Sequence, residues 1–160
     1  MLVRGHNVMS HYLSDPEATT EAKPDGWVRS GDVGRLDTHG RLFIVDRIKD
    51  LIIRGGYNVY PSEVENVLGA HPKVRDVAVV GRSDAFYGEE IVAIVVPVAG
   101  EAPSAAELHA FASPQLSKTK LPREYACIDA LPLGPSGKVH KRTLRTWLES
   151  GQITPEKLPP

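Results

Sequence analysis

The sequence predicts an α+β fold, a small antiparallel sheet flanked by helices and preceded by a β-rich segment. Three observations predict it. From Pro61 onward, stretches of helical periodicity alternate with β-rich apolar runs in the order helix, strand, strand, helix, strand, helix. Before Lys49 the regular pattern is instead short strand, turn, strand. The composition, 41% hydrophobic and 24% charged over 160 residues, fills one compact core and is too small for two large catalytic lobes.

The chain opens with a strand-like fragment, Leu2-Val3-Arg4-Gly5. A polar stretch from His11 to Asp25 follows, and its prolines and missing apolar period mark it as surface connection. Trp27-Val28-Arg29 and Val33 to Leu36 are short β-rich runs, and the turn Asp37-Thr38-His39-Gly40 leads into Arg41 to Val45, which predicts a hairpin. The charged stretch Asp46 to Asp50 separates two apolar runs and sets a boundary at Lys49, after which Leu51-Ile52-Ile53 leads through Gly55-Gly56 to Val59-Tyr60. Beyond Pro61, Ser62 is expected to cap a helix and Glu65 to complete a capping box, with Val64, Val67 and Leu68 on one face and an end near His71-Pro72. Val74 to Val80 and Ile91 to Val98 predict an antiparallel pair joined by a loop from Gly81 to Glu90. Pro103 and Ser104 open a second helix with Leu108 and Phe111 inward. Tyr125 to Ala130 predicts a strand, Leu131 to Lys138 a loop, and Lys141 to Glu149 a final helix.

The net charge of −1 hides an asymmetry, because residues 115–147 hold seven Lys and Arg against two Asp and Glu. With only 6% aromatics and an acidic remainder, such a patch suits a small polyanionic ligand better than a nucleic acid. No apolar run approaches the roughly eighteen residues of a membrane span, and the first twenty residues lack the layout of a secretory signal, so a cytoplasmic location is expected. The single cysteine, Cys127, cannot form an internal disulfide and is expected at a buried strand position. No metal site is expected: the six histidines form no H-x-x-x-H pair, and residues 32–40 lack the alternating acids of a calcium loop. Gly134 to Lys138 is not a Walker loop, since the glycine spacing is wrong and no Ser or Thr follows the lysine.

Three features remain: Lys138 on a Gly/Pro-rich loop, the paired glycines Gly55-Gly56, and the acid of Ser30-Gly31-Asp32. Glycines let a backbone lie against a ligand, and a lysine on a loop can neutralise a phosphate or carboxylate. Taken singly, each is more often a turn than a site. Their order along the chain carries more. The strings Gly26-Trp27-Val28-Arg29-Ser30-Gly31-Asp32, Asp46-Arg47-Ile48-Lys49-Asp50 with Arg54-Gly55-Gly56-Tyr57-Asn58-Val59-Tyr60-Pro61, and Pro135-Ser136-Gly137-Lys138 closely resemble the C-terminal part of the adenylate-forming acyl-CoA synthetases. Insect luciferases and the adenylation domains of peptide synthetases belong to the same superfamily.

The resemblance, which runs from residue 2 to about residue 148, implies a function and a set of roles. Members activate a carboxylic acid with ATP and Mg2+ to an acyl-adenylate, then pass the acyl group to coenzyme A. It implies that residues 1–48 are the β-rich end of a large N-terminal domain, residues 49–150 the mobile C-terminal domain, and residues 151–160 a tail. Asp32 would hold the ribose hydroxyls of the adenylate, a carboxylate being a good double acceptor. Arg47 would support the same ribose or its phosphate, and Lys49 would be the hinge. Gly55 and Gly56, with Tyr57 and Asn58, would border the pantetheine path, and Lys138 would bridge the acyl carboxylate and the α-phosphate. The N-terminal adenylating domain is then the implied partner, a fatty or other hydrophobic acid the implied substrate, and the chain alone the implied inactive piece. A stand-alone α+β binding or regulatory module derived from such a ligase is the rival reading, and neither the acid nor the oligomeric state is legible.

Overall fold

The computed structural model describes residues 1–159, which divide into two compact units, one of Met1–Lys49 and one from Asp50 onward. In the first, β1 (Leu2–Val3) pairs antiparallel with β2 (Val28–Arg29), and β3 (Asp32–Leu36) pairs antiparallel with β4 (Leu42–Arg47). The β3–β4 turn is built by Asp37. Its Oδ1 accepts from the His39 and Arg41 amides at 2.9 Å each, and its Oδ2 pairs with Arg41 Nε at 2.6 Å. The Arg41 amide first, and then its side chain, hold the Asp37 carboxyl below the usual carboxylate range.

Between β1 and β2 lies a helix that the polar composition concealed, α1 (Pro16–Ala22). Asp15 caps it by accepting from the Ala18 amide at 2.9 Å, and Pro16 occupies the first turn, where its missing N–H costs nothing. No residue of α1 is buried, so it carries no apolar period to read. The Asp15-Pro16-Glu17 start is the signal that could have revealed it. No residue of the first unit is buried, and Leu36, Leu42, Phe43 and Ile44 are all exposed.

The second unit is a six-stranded sheet with helices on both faces. Its hairpin β5 (Ile52–Arg54) and β6 (Tyr57–Val59) is followed by α2 (Pro61–Gly69), and the long pair β7 (Val74–Asp84) and β8 (Gly88–Pro97) by α3 (Ala105–Ala112). Then come β9 (Glu124–Cys127), α4 (Lys141–Glu149) and β10 (Glu156–Lys157). β8 is the hub. It pairs antiparallel with β7 along its whole length, with β5 through the Arg54–Gly88 bridge, and with β9 over Val92 to Val95. That last pairing is parallel, the one exception to the antiparallel sheet.

Side chains alternate across the sheet as the pleat requires. Val79, Ile91, Ala93, Val95 and Tyr125 pack with Val64 and Leu68 of α2 and Leu108 and Ala112 of α3. Ala78, Val80, Val92, Ile94 and Ala126 pack with Leu144 and Leu148 of α4 and with Ile153. Ile91 to Val96 are therefore buried on both faces, and this segment reads as a continuous apolar run.

The predicted loop from Gly81 to Glu90 is strand except at residues 85–87, because its charged side chains are paired rather than solvated. Arg82 reaches the fully buried Glu124, and Glu90 pairs with Arg54. Ser62 does not cap α2: Pro61 is its first-turn residue and Tyr60 its N-cap, while the Glu65 carboxylate accepts the Val79 amide at 2.8 Å and pairs with Lys141. It thereby occupies an amide on the open edge of β7. Ser104 does cap α3, accepting from the Glu107 amide at 3.1 Å. Cys127 ends β9 exposed rather than buried, and desolvation, with the Glu156 carboxylate, pushes its thiol pKa up. Residues expected to be a tail form β10, which covers the β9 edge.

The Arg54–Glu90 pair ties three segments together. Arg54 Nε lies 2.7 Å from Glu90 Oε1, Arg54 Nη1 donates to the Lys118 and Thr119 carbonyls at 3.3 and 3.2 Å, and the guanidinium stacks 4.8 Å from the Tyr87 ring centre. Glu90 is 1% exposed and Arg54 8%. Removing one partner strands a buried charge, whereas an apolar pair of similar volume need not. Urea unfolding of Arg54→Ala should show a loss of about 3–5 kcal/mol, and Arg54→Met/Glu90→Leu should regain most of it. A loss below about 1 kcal/mol in Arg54→Ala would show that the pair behaves as a screened surface contact.

Candidate functional site

In the first unit the hairpin register brings two expected site residues together. Asp32 begins β3 directly opposite Arg47 at the end of β4, and Arg47 Nε lies 3.3 Å from Asp32 Oδ1. The Asp32 amide donates to Ser30 Oγ at 3.1 Å, and the Ile48 amide to the Gly31 carbonyl at 2.8 Å, so the segment before β3 is fastened to the segment after β4. Arg29, Ser30, Gly31, Arg47, Ile48 and Lys49 line an open cleft of about 670 Å³. Arg47 engages one carboxylate oxygen, so Asp32 Oδ2 stays available to accept from a hydroxyl.

In the second unit, Gly55 and Gly56 are the two central residues of the β5–β6 hairpin, with Arg54 opposite Tyr57. Their φ values of +56° and +83° are those of the primed two-residue turn that matches strand twist, and this is why glycines stand here. The two are not equivalent. The Gly55 amide donates to the Tyr87 carbonyl at 2.8 Å, and a Cβ on Gly55 would lie 3.3 Å from the Tyr87 ring. A Cβ on Gly56 would meet nothing within 4 Å. Tyr57 and Asn58 beside it are exposed, so this end of the hairpin offers bare backbone to a ligand.

Lys138 stands on a second tight turn, within the segment expected to be a loop. The Gly137 amide donates to the Gly134 carbonyl at 2.9 Å, and the Gly134 amide to the Lys138 carbonyl at 2.8 Å. Pro135 takes the position where its fixed φ is favoured, Gly137 has φ +74°, and Leu133 bridges Val139. This is a three-residue hairpin loop ending on a left-handed glycine, with Lys138 next in line. The lysine is exposed, and its ammonium has no partner among the described residues.

Three cations of the same basic stretch are held by carboxylates. Lys120 pairs with Glu63 at 2.8 Å, Lys141 with Glu65 at 2.7 Å and Arg145 with Asp50 at 3.6 Å. Expecting the whole patch to receive a polyanion therefore counts cations already held by carboxylates. Arg54, Glu90 and Tyr87, which hold the glycine turn, were not legible in the sequence, because pairing between residues 36 apart leaves no local signal. Among the described residues, no group of three or more His, Cys, Asp or Glu could hold a metal ion, and no helix is long and apolar enough to cross a membrane.

Residues 63–138 match the AMP-binding enzyme C-terminal domain family. The chain is 48% identical over 146 residues to a fatty acid–[acyl-carrier-protein] ligase of Streptomyces coeruleorubidus, covering 90% of this chain and 28% of that protein. It is 43% identical over 145 residues to an indoleacetate–CoA ligase of Aromatoleum aromaticum, covering 91% and 28%. Among solved structures, ATP-bound MatB from Rhodopseudomonas palustris aligns with a TM-score of 0.86 at 37% identity, covering 91% of this chain and 29% of that one. The o-succinylbenzoate CoA synthetase of Bacillus subtilis, in complex with its acyl-adenylate intermediate, aligns with a TM-score of 0.83 at 36% identity, covering 99% and 31%. The chain spans less than a third of the length of these relatives.

The left-handed backbone at Gly56 separates conformation from space. Gly56→Ala should cost about 1–2 kcal/mol in urea unfolding, since a Cβ strains this φ although nothing blocks it. Gly56→Asn should cost less than Gly56→Ala, because asparagine tolerates this region. Equal losses would point to a clash instead of backbone strain.

Proposed function

We propose, on the match of residues 63–138 to the AMP-binding enzyme C-terminal domain family, that the chain acts as the C-terminal part of an ATP-dependent carboxylic acid:CoA ligase. The ligase forms an acyl-adenylate and then an acyl-CoA thioester, and its acid is fatty or otherwise hydrophobic. The observation that carries this reading is the hydrogen-bonded Gly134–Lys138 hairpin, which presents the exposed Lys138 from a fixed turn. An exposed ammonium held on a fixed turn is available to a reacting group.

In the first half-reaction a carboxylate oxygen attacks the α-phosphorus of ATP and pyrophosphate leaves. Two anions must approach, and negative charge grows on the bridging oxygens. Lys138 stabilises that charge more in the transition state than in the ground state. Asp32 Oδ2 accepts from the ribose hydroxyls, and Arg47 supports the ribose or its phosphate. In the second half-reaction the thiol of CoA attacks the acyl carbonyl and AMP leaves. The open side of Gly56, flanked by Tyr57 and Asn58, then lets the pantetheine arm lie against backbone.

ATP with its Mg2+ is bound mainly by an N-terminal adenylating domain, of which residues 1–48 are the end and which is the partner of residues 49–150. The exposed Leu36, Leu42, Phe43 and Ile44 of a unit without buried residues support such a partner. Lys49, the last residue of that unit, is the hinge between the half-reactions. Alone, the chain holds only the edge of the nucleotide site and turns over nothing. A cytoplasmic location goes with this reading.

Joined to a complete adenylating domain, Lys138→Ala should cut adenylate formation, read as pyrophosphate exchange, by about 10² to 10³, and leave acyl transfer from supplied acyl-adenylate nearly unchanged. Lys138→Arg should recover only part, since it keeps the charge without the compact ammonium. A Lys138→Ala enzyme within about threefold of its parent, under 1 kcal/mol, would refute the assigned role. In the same protein Lys49→Pro should retain pyrophosphate exchange and lose most thioester formation, because a fixed φ traps one arrangement. Equal loss of both steps would locate the hinge elsewhere.

A further inference from the structure

Helix α4 begins three residues after Lys138, and two of its cations reach carboxylates on other elements. Lys141 Nζ lies 2.7 Å from Glu65 Oε1, the same oxygen that accepts the Val79 amide of β7. Arg145 Nη2 lies 3.6 Å from Asp50 Oδ1, at the start of the second unit. The two cations stand four residues apart and so share one stripe of α4, beside the stripe of Leu144 and Leu148 that packs on the sheet. Leu144 and Leu148 fix which face of α4 meets the sheet, and the two ion pairs tether the adjoining stripe to α2 and to Asp50. None of the four side chains is more than 30% exposed, so solvent screens these pairs less than it screens surface pairs.

The head of α4 is also joined to the Lys138 turn by backbone. The His140 amide donates to the Pro132 carbonyl at 2.8 Å, enclosing the hairpin that carries Lys138. Any rotation of α4 is therefore passed to that hairpin. We propose that Lys141 and Arg145 are positioning residues for Lys138, and that Asp50 anchors the helix to the residue immediately after Lys49. Lys141 and Arg145 serve geometry, and Lys138 serves the reacting charge. This rests on the role of Lys138 proposed above.

Two measurements test it. In the chain itself, hydrogen exchange of Arg145→Ala should speed the Gly134 and His140 amides by about tenfold while leaving β8 amides such as Ile94 unchanged, the pattern of local rather than global opening. Joined to a complete adenylating domain, Arg145→Ala should slow pyrophosphate exchange by roughly tenfold, since misplacing a group by an ångström is costly. The same change made in a Lys138→Ala background should have an effect of less than about twofold, because nothing is left to position. Asp50→Arg/Arg145→Asp should restore most of the rate. Equal effects of Arg145→Ala in both backgrounds, or none in the Lys138 parent, would overturn the proposal. If Lys138→Ala itself leaves the rate unchanged, the reading of Lys138 fails first and this inference with it.

Discussion

The burial of β8 on both faces is the constraint from which the second unit follows. Ile91 to Val95 are sealed from solvent by α2 and α3 on one side and α4 on the other, and a strand buried on both faces leaves its neighbours few alternatives. Slipping its register by one residue would move every side chain to the opposite layer. The apolar run ends at Glu90, a carboxylate that could not stay buried without Arg54. Arg54 in turn immediately precedes the Gly55-Gly56 turn and stacks on Tyr87, whose carbonyl receives the Gly55 amide. The bare backbone around Gly56 is thus an outcome of how the core strand is closed off.

The two units rest on different physics. The second has a core in two layers, whereas the first has no buried residue and holds its strands by ladder hydrogen bonds, a capped helix and exposed ion pairs. Its Asp32–Arg47 pair is partly solvated, and the hairpin register rather than a dry environment sets its geometry. The groups in the second unit gain rigidity from tight turns. Gly55-Gly56 and Gly134 to Lys138 are both closed by backbone hydrogen bonds and both use positive φ. A lysine on such a turn loses less freedom on meeting a ligand than one on an open loop.

Much of the candidate site was readable in one dimension because its parts are turns and turns are local. Gly-Gly between two β-rich runs, and Pro-x-Gly before a lysine, specify backbone shape within four residues. What the lysines do was not readable. Lys120, Lys141 and Arg145 sit in the same basic stretch as Lys138, and only the folded chain shows that each of the three meets a carboxylate 57, 76 or 95 positions away.

Strands and helices were legible along the chain where apolar period supports them, as in β8 and α4, and so was the order of its motifs. The sequence misled where polarity has a tertiary cause. The charged ends of β7 and β8 looked like loop, α1 looked like connection, and Glu65 looked like a cap for its own helix. Folding settled these, along with the parallel pairing of β9 and the exposure of Cys127. The reason is the same in each case. Apolar periodicity records which face a residue turns to the core, but a charge is placed by the partner that compensates it, and that partner is brought near only by the fold.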